Sequence, residues 1–198
     1  MTRKSTGLPS IFQKLLLHTC CADCAVKALA YLRVTNENAN ITLYFDNSNI
    51  HPRTEWLERL KAVQTLAKSE LLELIVADWS PRGWFQSIQH NPENTHQRRC
   101  VACWGFRLKN TAEFALKNGF SFFSSTLLTS PYQDHGLLTK IGHDIAGSQL
   151  TFVENQAPDT SQTSSTTSAG FYKQNYCGCV YSLAERYEEK WNPSNNNG

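Results

Sequence analysis

Apolar residues follow two alternating rhythms along the chain. Short runs rich in β-formers occupy 14–19, 41–45, 71–76, 120–124 and 149–153, each of strand length. Between them the spacing turns helical. A helix is expected over 23–33. A second follows a Thr54 cap, with Trp56, Leu57, Leu60, Val63, Leu66 and Ala67 on its apolar face. Pro81 opens a short aromatic helix carrying Trp84, Phe85 and Ile88, and a polar loop over 91–99 leads to Cys100. A long helix then carries Phe106, Leu108, Phe114, Ala115 and Leu116 and stops at Asn118-Gly119. Further helices are expected near 132–146 and 180–191. Strands alternating with helices predict an α/β fold, one domain with a mainly parallel sheet flanked by helices. The domain is expected over 13–191. Residues 1–12 and 192–198 read as flexible ends, and 155–169, rich in Ser and Thr, reads as a mobile surface loop.

The chain has 198 residues, enough for one well-cored domain, and its formal net charge of +2 announces no nucleic-acid binder. Cysteine changes the picture: there are seven, an odd count. No secretory pattern precedes them, and no run approaches the ~18 apolar residues of a membrane span. A cytoplasmic protein with no membrane association is expected, its cysteines binding metal or doing redox chemistry rather than stapling the fold.

The cysteines fall into three groups. In LLLHTCCADC, residues 15–24, the first strand ends in Cys20, Cys21 and Cys24, with the N-terminus of the next helix aimed at them. Helix N-termini favour thiolates, and turns after the strands of open α/β sheets collect ligands. This turn lacks phosphate-cradling glycines and carries sulfur, which suits a soft metal. Asp23 reads as a first-turn acid, with metal ligation as the alternative. Cys100 and Cys103 have the C-x-x-C bite of zinc and iron–sulfur sites. With Cys20 and Cys21 they make four thiolates, enough for a [4Fe–4S] cluster or a structural zinc, and spacing does not choose between them. Cys177-Gly178-Cys179 reads as a dithiol/disulfide relay, because a C-x-C disulfide closes a very small ring and is readily reduced. Two further metal ligands are the other reading.

These stretches, together with YFDNSNIHP at 44–52, RRCVAC at 98–103, FSSTLLTSPYQ at 123–133 and YKQNYCGCVYS at 172–182, resemble the epoxyqueuosine reductases of the QueH type. The match spans nearly the whole ordered chain, in the family's order. The resemblance implies a fold similar to the PP-loop ATPases (HUP-like), with CCADC where those bind pyrophosphate. It implies reduction of epoxyqueuosine to queuosine at the tRNA wobble position, the last step of queuosine biosynthesis. It further implies that Cys20, Cys21, Cys100 and Cys103 ligate a [4Fe–4S] cluster, that Cys177 and Cys179 are the redox-active pair, and that Cys24 helps hold a second metal ion, iron. The partners implied are tRNA carrying epoxyqueuosine and an external electron donor. Two departures stand out: Asp23 replaces the family's usual proline, and 154–158 lacks the usual Asp-Phe-Arg-like segment.

Other residues carry two readings each. His18 is a hydrogen-bond or proton donor at the site, or structural. His51 at a strand end contacts substrate or packs. Arg98, Arg99, Arg107 and Lys109 form a basic group for tRNA phosphate or a solvated helix face. Tyr132, Trp104 and Tyr176 stack on a splayed base or belong to the core. The rival functions are a cluster-dependent tRNA sulfur-transfer enzyme, which would keep a glycine-rich ATP loop, and a zinc-stabilised nucleic-acid-binding module. Oligomeric state is not legible.

Overall fold

The computed structural model describes residues 14–35, 39–89, 95–131, 133–155, 170–172, 174 and 176–191. The two expected flexible ends, all but Asn155 of the expected Ser/Thr loop, and Tyr132 lie outside the described residues.

Five strands form one parallel sheet: β1 (Lys14–His18), β2 (Asn40–Phe45), β3 (Glu73–Val76), β4 (Phe122–Ser125) and β5 (Thr151–Phe152), in the order β3-β2-β1-β4-β5. The helices are α1 (Ala22–Thr35), α2 (Arg53–Ser69), α3 (Pro81–Gln89), α4 (His96–Lys117), α5 (His135–Ala146) and α6 (Val180–Trp191). The parallel α/β expectation holds. β1 is central, which explains its unbroken leucines: Leu15 and Leu17 pack with α1 and α2 on one face, and Leu16 packs with α4 and α5 on the other. Successive side chains of a strand point to opposite faces, so both must be apolar.

Several boundaries differ from the sequence reading. Thr54 does not cap α2, whose N-cap is Pro52 with no side-chain cap bond. Leu57 is exposed rather than on the buried face. The run 71–76 is not a buried strand throughout. Leu71 has φ 54° and stands in solvent, and β3, at the sheet's edge, is only half-buried. The expected loop before Cys100 is helix from His96 onward, with Thr95 as cap accepting from the Arg98 N–H at 3.4 Å. Both C-x-x-C cysteines therefore ride on α4.

The strand order reverses between β1 and β4, and the crevice at the carboxyl ends of that pair is where such sheets bind ligands. The sequence puts Cys20 at the end of one strand and Thr126 at the end of the other.

Candidate metal and redox site

At that switch point the turn after β1 is tied down on every side. The Asn47 amide donates to the Thr19 carbonyl at 2.8 Å, and the Cys20 N–H donates to Thr126 Oγ1 at 3.0 Å. The Thr126 hydroxyl in turn lies 3.2 Å from Cys20 Sγ. At the first turn of α1 the Cys24 N–H points at Cys21 Sγ, 3.4 Å away, as the helix-terminus argument requires. Gln174 adds its side-chain N–H to the same sulfur at 3.0 Å. The result is a triad: the sulfurs of Cys20, Cys21 and Cys24 all lie within 4.8 Å of one another and could hold a metal ion. Cys20 and Cys21 are buried and Cys24 is partly so.

Hydrogen bonds from Cys21 and Cys24 hold the Cys20 thiol well below its ordinary range. Cys21, donating to Cys20, is pushed up to about 12, and Cys24 is raised for the same reason. The three sulfurs are thus linked by shared hydrogen bonds, and a soft metal binding among them would displace their protons. Asp23 takes no part: its carboxylate pairs with Lys27 at 3.1 Å along the helix.

Cys100 and Cys103 stand outside this triad, one turn apart on α4. Cys103 lies against the Trp84 indole and the Arg107 guanidinium, and burial raises its thiol. Burial pushes Cys100 up to about 12, with the Cys177 and Cys103 charges adding to it. Arg107 corrects the sequence reading of a surface basic group: it is 5% exposed and donates to Asn47 Oδ1 at 2.7 Å. Its charge is felt by Cys20, Cys103, Cys177 and His18 alike. This buried cation links the three cysteine groups.

Cys177 Sγ and Cys179 Sγ are 3.7 Å apart, both as free thiols. Their loop is gripped from α2. Buried Arg59 donates to the carbonyls of Tyr176 at 3.1 Å and Cys177 at 3.2 Å, and its Nε pairs with Glu55 at 2.7 Å. Tyr172 donates its hydroxyl to the same Glu55, Tyr176 donates to the His51 carbonyl, and the His51 N–H donates to the Gly178 carbonyl at 2.7 Å. The Cys179 S–H, donating to Cys177, brings the Cys177 thiol down to about 5. Iodoacetamide alkylation of Cys177 in the reduced protein is therefore expected to hold its rate down to about pH 6 and to fall only below that, where an ordinary thiol has already slowed near about pH 8.5. Peptide mass spectrometry across a pH series checks this, and a midpoint near the ordinary value contradicts it.

The remaining candidates separate. His18 is buried, with Nδ1 on Ser125 Oγ (2.8 Å) and Nε2 on the Asp46 carbonyl (3.2 Å), and burial lowers it to about 3. It is a neutral structural group. The His51 ring packs among Trp79, Trp84 and Phe85, with Nδ1 on the Asn49 carbonyl. Its Nε2 is buried without a partner among the described residues. Arg99 is bound to Glu185 at 2.9 Å and lies over the Tyr181 ring, joining α4 to α6, whereas Arg98 is exposed. Trp104 is core, donating to Gln133 at 2.8 Å. The sequence reading missed Arg59, Glu55, Gln174 and Thr126. Arg59 had a signal: it falls at helical spacing between Trp56 and Val63, a charge on an apolar stripe.

Fold and site together define an α/β protein built on clustered thiols, with three sulfurs able to hold a metal. A family model described as Epoxyqueuosine reductase QueH matches residues 15–185. Proteins of that name are similar along most of their length. The one from Haemophilus influenzae is 32% identical over 96% of this chain and 78% of its own. The one from Thermotoga maritima is 32% identical over 88% and 93%, and the one from Dehalococcoides mccartyi 31% over 91% and 98%. The chain belongs to the epoxyqueuosine reductase QueH family. Among the described residues no helix is long and apolar enough to cross a membrane.

Proposed function

We propose that this protein reduces the epoxide of epoxyqueuosine, at the wobble position of a cytoplasmic tRNA, to the alkene of queuosine. In this reading Cys20, Cys21, Cys100 and Cys103 hold a [4Fe–4S] cluster, Cys24 helps hold a second iron, and Cys177 with Cys179 takes electrons from an external donor. The observation that carries the reading is the triad of sulfurs within 4.8 Å at the β1/β4 switch point, in a chain of this family.

The residues present fit such a group. The donors are soft sulfurs; Gln174 and the Cys24 N–H donate to Cys21, and buried Arg107 offsets accumulated negative charge. They do not suit a bound nucleotide phosphate, because the N–H groups of Cys20 and Cys24 are already taken by Thr126 and Cys21. A bound cluster supplies single-electron transfer and an iron able to polarise an epoxide oxygen. Removing that oxygen as water takes two electrons and two protons. The Cys177–Cys179 dithiol supplies two electrons per turnover and becomes a disulfide. In this reading Arg98 and Arg99 meet tRNA phosphate, Tyr132 stacks on a splayed base, and His51 contacts substrate.

The test has two stages. Anaerobically purified protein is assayed for iron and sulfide and by absorption. Then Cys177→Ser and Cys179→Ser are compared with wild type on epoxyqueuosine-tRNA with a dithiol reductant. The expected variants keep the chromophore and lose repeated turnover. A chromophore lost in either variant makes that cysteine a ligand, and a colourless zinc protein makes this a structural module.

A further inference from the structure

The two sulfurs of the redox pair are not equivalent. Cys177 is exposed, whereas Cys179 is half-buried behind it, immediately before α6. Cys179 stands where a helix N-cap stands. Its sulfur receives the backbone N–H of Ser182 at 3.3 Å, three residues on, as a capping side chain does. Cys177 Sγ has a backbone donor too, the Cys179 N–H, but that one belongs to the loop and not to the first turn of a helix. The Ser182 hydroxyl sits between the two, 3.3 Å from Cys177 Sγ and 3.4 Å from Cys179 Sγ; it donates to the Cys179 carbonyl at 2.9 Å and can turn from there to a sulfur that carries charge. The backbone beneath is fixed by Arg59 and His51, so the sulfurs cannot exchange places.

We propose that the pair has a fixed polarity: an external dithiol reductant attacks Cys177 Sγ, and Cys179 leaves as a thiolate received by Ser182 at the N-terminus of α6. This rests on the reading of Cys177 and Cys179 as a dithiol/disulfide pair. In the first step a reductant thiolate forms a bond to Cys177 Sγ and the Cys177–Cys179 bond breaks, its electron pair staying on Cys179. In the second step the reductant's other thiolate attacks its own bridged sulfur, and Cys177 leaves. The reductant ends as a disulfide, the protein gains two electrons, and the two thiol protons pass to Cys179 and to solvent. Thiol–disulfide exchange is faster at the reachable sulfur, which is Cys177, and the N-terminus of α6 receives the thiolate that leaves. In the dithiol Cys179 is raised first by its hydrogen bond to Cys177, then by burial and by the Cys177 charge; bridging Cys177 removes the first and the last, and burial remains.

The experiment uses the full-length protein, oxidised anaerobically with diamide to the Cys177–Cys179 disulfide and freed of excess oxidant, then treated briefly with glutathione, quenched in acid and mapped by mass spectrometry. Glutathione is expected on Cys177, with Cys179 free, at about ten to one or better. Ser182→Ala should slow formation of that adduct about ten-fold, and Ser182→Thr should restore it. Glutathione on Cys179, an even split, or an unchanged rate in Ser182→Ala overturns the polarity while leaving the redox pair in place. Failure of the disulfide to form on oxidation removes the redox reading itself, and the polarity with it.

Discussion

Arg59→Met is expected to lower the unfolding free energy by about 3–5 kcal/mol, the range for breaking a buried ion pair from one side. Arg59 is 2% exposed and Glu55 is 8% exposed, with a 2.7 Å contact between them. Methionine roughly fills the volume but leaves a buried carboxylate facing only the Tyr172 hydroxyl. It also orphans the carbonyls of Tyr176 and Cys177, each accounting for about 1 kcal/mol of that loss. Pairing the change with Glu55→Gln removes the stranded charge and should return about half of the loss. Burial shields the pair from salt, so the difference should persist at high ionic strength. Urea unfolding of wild type, Arg59→Met and the double variant measures all of this. A loss below about 1 kcal/mol would mean that the network contributes no more than a surface pair.

The sheet and the cysteine turn were legible because they depend on local pattern. A leucine run ending in cysteines, followed by helical spacing, is readable wherever the strand sits in the sheet. Whether a strand lies at the centre or the edge is not local. The run 71–76 looks as apolar as 41–45, yet β3 pairs on one side only and stays half-exposed. Helix starts were misjudged where polar residues lie inside the helix: His96, Gln97 and Arg98 look like loop, but Thr95 caps them. Arg107 was grouped with Arg98 and Arg99 by proximity in sequence. Helical phase separates them, because Cys100, Cys103 and Arg107 follow i, i+3, i+7 and share one face. That face turns inward, so a residue resembling a phosphate contact is instead the buried counter-charge to the thiols. Gln174 and Thr126 were beyond reach, since their meeting with the cysteines comes from chain segments 153 and 106 residues away.

Gly178→Ala is expected to cut dithiol-driven turnover on the order of a hundred-fold while leaving the metal content unchanged, a typical consequence of misplacing reacting groups by about an ångström. Gly178 has φ +111°, a conformation alanine adopts only with strain. A methyl group there would come within 3.1 Å of both terminal nitrogens of Arg59 and of Ile50 Cγ1. Neither neighbour can withdraw, since Arg59 is fixed by three partners and Ile50 is fully buried. The loop itself must move, although the His51 N–H holds the Gly178 carbonyl at 2.7 Å. The strain thus falls on the 3.7 Å separation of Cys177 and Cys179 and on the approach of Cys179 to the start of α6. The cysteines of the triad lie on another segment, after β1, so a metal held there should persist. Steady-state turnover with a dithiol, set beside iron content and the yield of a single turnover by chemically reduced protein, separates the two sites. Turnover within about three-fold of wild type would show that the loop's geometry does not limit its redox role.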